Sequence, residues 1–308
     1  MSNMTAVRVH QYGGVDALKI EDAPRPQPGP GEVLIRVQAS SVNPVDWKIR
    51  AGYFKDFMPM PLPYVPGRDV SGVVQAVGAG VASFKKGDEV YGVINGAYAQ
   101  YAIAKESEIA RKPRLVDHVR AAAIPLAAST AWQALFDKGH LEPGQTVLIH
   151  GAAGGVGSFA VQLARWKGAR VIATASGRNQ AYLQELRVDQ AIDYDKVRFD
   201  EVVRDVDVVL DTIGGKTQTD SYKALRRGGV LVSVAAPPDA GEAAKHGVRA
   251  EFLATQSNAE LLATIADLVD AGKVRPIVNS VLPLAEVRRA HQLSEGGHVH
   301  GKILLKVD

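Results

Sequence analysis

The fold is decided by residues 146–157, which read TVLIHGAAGGVG. An apolar strand pattern enters a glycine-rich turn, and a helix pattern follows it. Gly154 would let the backbone approach a pyrophosphate, and Gly157 would let the helix pack closely on the strand. The N–H groups and the dipole at the helix start would then face the anion. Ala152 replaces the first glycine of the usual motif, so on this motif alone a turn without a ligand stays open.

The surrounding pattern favours a dinucleotide-binding domain. Strand patterns at residues 146–150, 170–175, 190–193, 207–212 and 229–235 alternate with helix patterns at residues 156–167, 179–186 and 217–225. Such alternation predicts a doubly wound parallel sheet, a Rossmann domain, and therefore an α/β protein.

The end of the second strand of this domain indicates which dinucleotide binds. An NAD-specific site carries Asp or Glu about 20 residues beyond the glycines, but no acidic residue lies between Gly168 and Gln184. Ser176 and Arg178 follow the strand, and a hydroxyl and a guanidinium suit a 2′-phosphate. The sequence therefore predicts NADP(H), with Arg178 as an ordinary solvated residue being the alternative.

Composition narrows the classes of function. Of the 308 residues, 46% are hydrophobic and 22% charged, which is typical of a globular enzyme. The chain has no cysteine, so disulfides, thiol nucleophiles and thiolate-bound zinc are excluded. A net charge of +3 without a basic run argues against a nucleic-acid partner. We expect no membrane partner and a cytoplasmic location, because no stretch has the pattern of a membrane span or signal peptide.

The first third of the chain has a different pattern. Short strand patterns at residues 5–10, 32–39, 70–77, 89–93 and 98–104 are separated by glycine and proline turns, which predicts a compact, partly open β-barrel. After a helix pattern at residues 259–271, strand patterns return at residues 278–281 and 302–306. We therefore predict a nucleotide domain, residues 123–272, inserted into a barrel domain made of residues 1–122 and 273–308.

Short sequence blocks follow one another along nearly the whole chain: NPVD at 43–46, PGRDVSG at 66–72, GDEVYG at 87–92, GAYA at 96–99, ASTA at 128–131, DY at 193–194, LDTIGG at 210–215, and His298 with GKI at 301–303. In these blocks and the glycine turn, the chain resembles the zinc-free quinone oxidoreductase branch of the medium-chain dehydrogenase/reductase superfamily. The resemblance implies a GroES-like catalytic domain around the Rossmann domain, with the active site in the cleft between them. It also implies a homodimer formed through an edge strand near residues 248–254.

The same resemblance implies a set of cofactor-binding residues. Gly154, Gly155 and Val156 are expected at the pyrophosphate, and Ser176, Arg178 and Tyr194 at the adenosine phosphate. Thr212, Ile213 and Ala235 are expected at the nicotinamide ribose. Asn43 and Thr130 are expected at the nicotinamide side, and Lys302 completes the set. The positions of zinc ligands in zinc-dependent relatives fall around Val42 and Asn43 and at Arg68, which cannot rebuild that site. We therefore expect no metal.

Without zinc, the expected reaction is hydride transfer from NADPH to a quinone or to the C=C bond of an α,β-unsaturated carbonyl. Hydrogen-bond donors must then stabilise the charge that builds on the carbonyl oxygen. The catalytic candidates are Asn43, Lys48 and Tyr53. Tyr53 is displaced by one residue from a proton-donating tyrosine of related enoyl reductases, so a packing role stays open for it, as a surface role does for Lys48.

Two other classes of function stay open. The chain could be a non-catalytic NADPH-binding protein, such as a redox sensor or structural protein, or a zinc-free alcohol dehydrogenase. Turnover of NADPH with a quinone or enone separates the first from an enzyme, and NADP⁺ reduction by secondary alcohols tests the second. Between Gly52 and Tyr64, apolar residues that include Phe54, Phe57, Met58 and Met60 predict an apolar substrate pocket.

Overall fold

The protein is described from a computed structural model, which covers residues 2–307. Its strands are β1 (Asn3–Val9), β2 (Leu18–Pro24), β3 (Glu32–Val42), β4 (Asp69–Val77), β5 (Glu89–Val93), β6 (Tyr101–Lys105), β7 (Ile109–Arg111), β8 (Thr146–Ile149), β9 (Arg170–Ala175), β10 (Gln190–Asp193), β11 (Val206–Asp211), β12 (Leu225–Ser233), β13 (Arg249–Phe252), β14 (Val278–Pro283) and β15 (Lys302–Lys306). Its α-helices are α1 (Pro44–Ala51), α2 (His118–Ala121), α3 (Pro125–Trp132), α4 (Gly155–Lys167), α5 (Gln180–Glu185), α6 (Phe199–Val202), α7 (Gly215–Ser221), α8 (Ala240–Lys245), α9 (Ala259–Asp270) and α10 (Val287–Glu295). Among residues 2–307, no helix combines the length and the apolar character that crossing a bilayer demands.

The chain divides into two compact units. The first contains residues 2–126, 257–271 and 276–307, and the second contains residues 127–256 and 272–275. Helix α9 belongs to the first unit, where the Tyr91 hydroxyl donates to the Leu262 carbonyl oxygen at 2.5 Å. The sequence pattern had grouped this helix with the nucleotide domain, and the functional domain boundaries at residues 122 and 272 stay a prediction.

The first unit is built mainly on antiparallel strands. Strands β1 and β2 form a two-stranded sheet, and a larger sheet has the order β14-β15-β3-β4-β5-β7, with β6 also paired to β3. Val33, Ile35 and Val37, whose alternation predicted strand β3, lie buried in one hydrophobic cluster. Leu34 on the opposite face is buried as well, because β3 is a central strand of the sheet.

The second unit contains a six-stranded parallel sheet in the order β10-β9-β8-β11-β12-β13. Counted from β8, this is the order 3-2-1-4-5-6 of dinucleotide-binding folds, so the predicted Rossmann sheet is confirmed. Strands β9 and β10 have the predicted bounds. Since all six strands are parallel, their carboxyl ends meet at one edge of the sheet, which is where open α/β sheets bind ligands.

The helix predicted at residues 217–225 is shorter in the structure. Helix α7 ends at Ser221, and β12 already begins at Leu225. The Ala224 carbonyl oxygen accepts a hydrogen bond from the Val206 amide at 3.0 Å, which ties this segment to β11. Pairing with the sheet therefore replaces the last turn of the predicted helix.

Candidate cofactor-binding and catalytic residues

The glycine-rich turn joins β8 to α4 at the carboxyl edge of the parallel sheet. Gly151 has a φ of +62°, in the left-handed region that favours glycine. A Cβ atom on Gly157 would lie 2.3 Å from the Gly151 carbonyl oxygen, so only glycine lets the first turn of α4 pack here. The helix starts after Gly154 without a side-chain cap. Its first N–H groups, beginning with those of Gly155 and Val156, can therefore bind a phosphate.

A buried carboxylate holds the ends of β11 and β12 together. Asp211 accepts hydrogen bonds from the Ile213 amide at 2.9 Å and from the Ser233 hydroxyl at 2.8 Å. Ser233 Oγ in turn accepts from the Ala235 amide at 3.2 Å. Thr212 donates its hydroxyl, at 2.8 Å, to the carbonyl oxygen of the residue preceding the glycine turn. The three residues predicted at the nicotinamide ribose thus lie along one sheet edge.

His150, the residue just before the glycine turn, was not identified from the sequence. It is buried, and its ring nitrogens lie 3.0 Å from Thr174 Oγ1 and 2.9 Å from Ser221 Oγ. Burial lowers the pKa of His150 to about 4, with the Asp211 charge opposing the shift. The uncharged imidazole therefore fastens β8 to β9 and α7 beneath the turn.

Ser176, Arg178 and Tyr194 lie at the carboxyl ends of β9 and β10. The register pairs Asp193 with Ala175, so the residues after these two strands are neighbours. Ser176 is buried, whereas Arg178 and Tyr194 are exposed. Across the described chain, residues 2–307, the Arg178 guanidinium makes no hydrogen bond or ion pair. The corner therefore contains a hydroxyl and a guanidinium without a bonding partner within that range, which is the pair of groups predicted to bind a 2′-phosphate.

Two carboxylates also border this corner, which the sequence had not predicted. Asp195 Oδ2 accepts a hydrogen bond from the Gly177 amide at 3.3 Å, and a Cβ atom on Gly177 would lie 2.9 Å from Asp193 Oδ2. Asp193 ends β10, the strand next to β9, and Asp195 follows it, so neither acid lies in the segment after the glycine turn, residues 168–184. These two carboxylates place negative charge beside the Arg178 cation, which the residues that follow β9 did not indicate by themselves.

Thr130 lies in α3 and is mostly buried. Its Oγ1 is 2.8 Å from Thr255 Oγ1. Thr255 follows β13, so this pair ties α3 to the carboxyl end of the sheet's edge strand. Thr130 is thus held near the same sheet edge as the glycine turn, by a partner that the sequence had not suggested.

The first unit contains a buried polar cluster, which we define as Ser41, Asn43, Asp46, Asp69, Tyr98 and Lys302. Each of these residues is at most 4% exposed. In the antiparallel registers Ser41 lies opposite Asp69, and Ile303 lies opposite Val42. The ends of three strands therefore bring the cluster together, and Asn43 continues it into α1 as the residue that caps the helix.

Asp69 is the centre of the buried polar cluster. Its Oδ2 accepts from Asn43 Nδ2 at 2.9 Å, from the Ser41 hydroxyl, and from the Lys302 ammonium at 3.3 Å, while Oδ1 accepts from the Leu126 amide at 2.8 Å. Lys302 also donates to Asn43 Oδ1. The Asn43 amide is therefore fixed at both ends, and the ammonium supplies the opposite charge that a buried carboxylate requires.

Asp46 carries the second carboxyl group of the cluster. Its Oδ2 accepts from the backbone N–H of Asn43 at 2.8 Å and from the Tyr98 hydroxyl at 3.1 Å. Burial raises the pKa of Asp46 to about 6; the bond from the Asn43 amide opposes this shift, and the Asp69 charge adds to it. Two carboxyl groups share the cluster with one lysine, so ionising Asp46 at neutral pH is costly.

Replacing Asp46 with asparagine is expected to remove a pH dependence of stability. The pKa of about 6 exceeds the ordinary value of 3.8, so the folded protein binds this proton more tightly than the unfolded chain does. The resulting stability is fully present below about pH 4 and is lost as pH rises through 6, amounting to about 3 kcal/mol. Urea unfolding at a series of pH values measures it. The loss of stability with rising pH should be absent in Asp46→Asn and present in the exposed control Asp56→Asn. If the free energy of unfolding of Asp46→Asn fell with pH as steeply as that of the wild type, Asp46 would not be the group responsible.

The sequence comparisons agree with this architecture. The alcohol dehydrogenase GroES-like domain family matches residues 29–114, and the zinc-binding dehydrogenase family matches residues 186–305. The 2-methylene-furan-3-one reductase of Solanum lycopersicum is 37% identical over 99% of this chain and 79% of its own. The chain belongs to the quinone oxidoreductase branch of the medium-chain dehydrogenase/reductase superfamily. Another relative, the chloroplastic NADPH-dependent alkenal/one oxidoreductase of Arabidopsis thaliana, is 36% identical over 96% of this chain and 77% of its own.

Solved structures of this branch have the same fold. The quinone oxidoreductase from Coxiella burnetii superimposes with a TM-score of 0.92 at 36% identity, covering 100% of both chains. A mycobacterial protein complexed with NADPH has a TM-score of 0.90 at 32% identity, covering 98% of this chain and 99% of its own. The predicted fold class, a GroES-like domain plus a Rossmann domain, is confirmed.

One of the two matching families is described as zinc-binding, but the side chains of the present protein do not fit a zinc ion. The acceptors that converge in the buried polar cluster, Asn43 Oδ1 and Asp69 Oδ2, hold the Lys302 ammonium instead. The chain has no cysteine, and residues 2–307 contain no group of three His, Asp or Glu side chains placed to hold a metal ion.

Lys48 and Tyr53 lie next to Trp47 rather than in the buried polar cluster. Lys48 Nζ is 5.7 Å from the Trp47 ring centroid, and the Tyr53 ring meets the same indole edge-on at 5.8 Å. Lys48 is half-buried on α1, whereas Tyr53 is 67% exposed beyond the end of that helix. Within residues 2–307 neither side chain bonds to the cluster. The structure therefore places two of the catalytic candidates next to the same Trp47 indole and outside the cluster that contains Asn43.

Proposed function

We propose that this protein is an NADPH-dependent, zinc-independent oxidoreductase that reduces quinones or the C=C bond of α,β-unsaturated carbonyls. The observation that carries the proposal is the carboxyl edge of the parallel sheet, where an uncapped helix start suits the pyrophosphate of NADPH and the Ser176–Arg178 corner suits its 2′-phosphate. Names of relatives support the same activity, since they include an alkenal/one oxidoreductase and a quinone oxidoreductase. NADP(H) is the cofactor, as in the mycobacterial relative complexed with NADPH.

The residues that would hold the cofactor come mostly from the second unit. Amides of Gly155 and Val156 would bind the pyrophosphate. Gly154, whose own amide donates to the Gly151 carbonyl oxygen at 2.9 Å, would let the backbone approach it. Ser176, Arg178 and Tyr194 would bind the adenosine phosphate end, and Thr212, Ile213 and Ala235 the ribose next to the nicotinamide. Thr130, Asn43 and Lys302 belong to the nicotinamide side in the same proposal. When bound, NADPH supplies the hydride.

Reduction of an enone adds a hydride to its β-carbon and a proton to its α-carbon, and leaves NADP⁺. Negative charge builds on the carbonyl oxygen in the transition state, so a positioned donor accelerates the reaction. Lys48 is our candidate for that donor, because it is a half-buried ammonium on the helix that Asn43 caps. Phe57 and Met58 are exposed apolar side chains in the following segment, and they favour an apolar substrate.

Substrate turnover tests the proposed function. NADPH oxidation would be followed by absorbance with 1,4-benzoquinone and with an alkyl vinyl ketone. We expect turnover with at least one of these acceptors and none when NADP⁺ is offered with secondary alcohols. Tight NADPH binding without turnover across a broad acceptor panel would instead identify a non-catalytic protein, and reduction of NADP⁺ by alcohols would identify an alcohol dehydrogenase.

Two conservative variants separate the candidate donors. Lys48→Met removes the charge and keeps the length, and we expect it to lower kcat for an enone by about 100-fold, the typical effect of losing one such donor. Tyr53→Phe removes only an exposed hydroxyl and keeps the ring on Trp47, so we expect less than a threefold change. NADPH affinity should be unchanged in both. The reverse order of the two kcat effects would assign the donor role to Tyr53.

A homodimer and a cytoplasmic location belong to the same proposal. Strand β13 is last in the sheet order, and Phe252 on it is 43% exposed, so its open edge suits pairing with a second copy. Light scattering should then give twice the chain mass of 32.8 kDa. A monomer at micromolar concentration would exclude the dimer, and cell fractionation tests the location.

A further inference from the structure

Asp195 places a negative charge at the corner where the proposed function puts the 2′-phosphate of NADPH. Its Oδ2 accepts a hydrogen bond from the Gly177 amide at 3.3 Å. Gly177 stands between Ser176 and Arg178, the two residues expected to bind that phosphate. One N–H donor of the corner is therefore already engaged by a carboxylate.

The turn after β10 holds this carboxylate in place. The Asp195 amide donates to Asp193 Oδ1 at 3.1 Å, and the amides of Lys196 and Val197 donate to the Asp193 carbonyl oxygen at 3.0 and 2.9 Å. These bonds define a tight turn that begins where β10 ends. The fold therefore holds the backbone of Asp195 beside Gly177, and the bond from the Gly177 amide orients its carboxylate.

The two carboxylates of the turn differ in how their charge is balanced. Asp193 pairs with the Lys196 ammonium at 3.6 Å. Asp195 is exposed, and in the described part of the chain, residues 2–307, it has no cationic partner. Its charge therefore acts on whatever binds at the Gly177 amide.

We propose that Asp195 is a specificity-determining residue, which weakens binding of the 2′-phosphate and offers the 2′-hydroxyl of NADH an acceptor. The inference rests on the proposed function, because it requires a dinucleotide at this corner. A carboxylate repels a phosphate and competes for its donor, but it accepts a hydrogen bond from a ribose hydroxyl, as acidic residues do in NAD-specific sites. Arg178 acts in the opposite sense. The protein consequently uses both dinucleotides and favours NADPH by a narrow margin.

The test is a fluorescence titration of NADPH and NADH against the wild type and three variants. Asp195→Asn keeps an oxygen that can accept from the Gly177 amide, so it changes charge and little else. We expect it to tighten NADPH binding about tenfold and to leave NADH unchanged or weaker by a few-fold, a size typical of one nearby charge at a protein surface. Arg178→Ala should shift the ratio of the two affinities in the opposite direction. Asp205→Asn, at the amino end of β11, removes the same charge from the far edge of the sheet and should leave the ratio unchanged.

Ionic strength provides a readout that a merely structural role would not move. The tenfold gain in Asp195→Asn should shrink in high salt, because screening weakens the repulsion that the variant removes. If the wild type binds NADPH and Asp195→Asn keeps its affinity ratio within twofold, the role of Asp195 is refuted and the proposed function stands. If the wild type binds neither dinucleotide, the proposed function fails and this inference fails with it.

Discussion

Replacing Lys302 with methionine is expected to lower the free energy of unfolding by about 3–5 kcal/mol, the usual cost of leaving a buried charge without its partner. The Lys302 ammonium lies 3.3 Å from Asp69 Oδ2 and also donates to Asn43. Both members of the ion pair are almost completely buried, so water cannot replace the lost cation. Methionine fills a similar volume, and the loss would therefore reflect charge rather than a cavity.

Urea unfolding of the wild type, Lys302→Met and the exposed control Lys86→Met measures this effect. The control removes the same charge from the surface and should change stability by less than about 0.5 kcal/mol. A double variant, Lys302→Met with Asp69→Asn, should recover part of the loss, because it removes the uncompensated carboxylate as well. A loss below about 1 kcal/mol in the single variant would show that the ion pair does not stabilise the buried polar cluster.

Replacing Gly157 with alanine is expected to weaken NADPH binding by about 100-fold or more. The added Cβ atom would lie 2.3 Å from the Gly151 carbonyl oxygen and 2.6 Å from Ala152 Cα. Both contacts are with backbone, so the turn or the helix must move to relieve them. Movement of the turn misaligns the N–H groups that face the pyrophosphate, and each hydrogen bond to a charged group contributes about 1.5–3 kcal/mol.

Calorimetric titration with NADPH provides the measurement, and the Gly14→Ala variant provides the control. A Cβ atom on Gly14 would meet nothing within 4 Å, so that substitution should leave both affinity and stability unchanged. Thermal unfolding of Gly157→Ala separates a displaced turn from a failure to fold. A folded Gly157→Ala protein with wild-type affinity for NADPH would mean that the cofactor binds elsewhere.

The parallel sheet could be predicted closely from the sequence because its strands are local apolar runs with turns between them. Strands β9 and β10 have the predicted bounds, and Gly154 and Gly157 have the predicted places in the turn. Strand β2 was missed, because its charged residues leave little apolar periodicity and its pairing with β1 is what holds it. Likewise, the strand predicted from Tyr98 begins only at Tyr101, because the backbone before it bonds to β1 instead. The Tyr98 carbonyl oxygen accepts from the Val7 amide at 2.9 Å, and the Gln100 amide donates to the Thr5 carbonyl oxygen at 3.0 Å.

The site was harder to predict where it depends on residues far apart in the chain. Lys302 and Asp69 come together only through the registers of β15, β3 and β4, which no local pattern contains. Asp195 was overlooked for the same reason, because it follows the neighbouring strand rather than the one that ends at Ser176. His150 gave no signal, since a histidine before a glycine turn is equally compatible with exposure and with burial.

In the proposed function, the corner after β9 binds the 2′-phosphate of NADPH through Arg178 and Ser176. The most direct measurement is a titration of the wild-type protein with NADPH and NADH side by side, repeated for Arg178→Ala. NADPH should bind more tightly than NADH, and Arg178→Ala should lose about tenfold in NADPH affinity alone, as expected for one charge-assisted contact. Tighter binding of NADH by the wild type, or an Arg178→Ala protein with unchanged NADPH affinity, would contradict the claim.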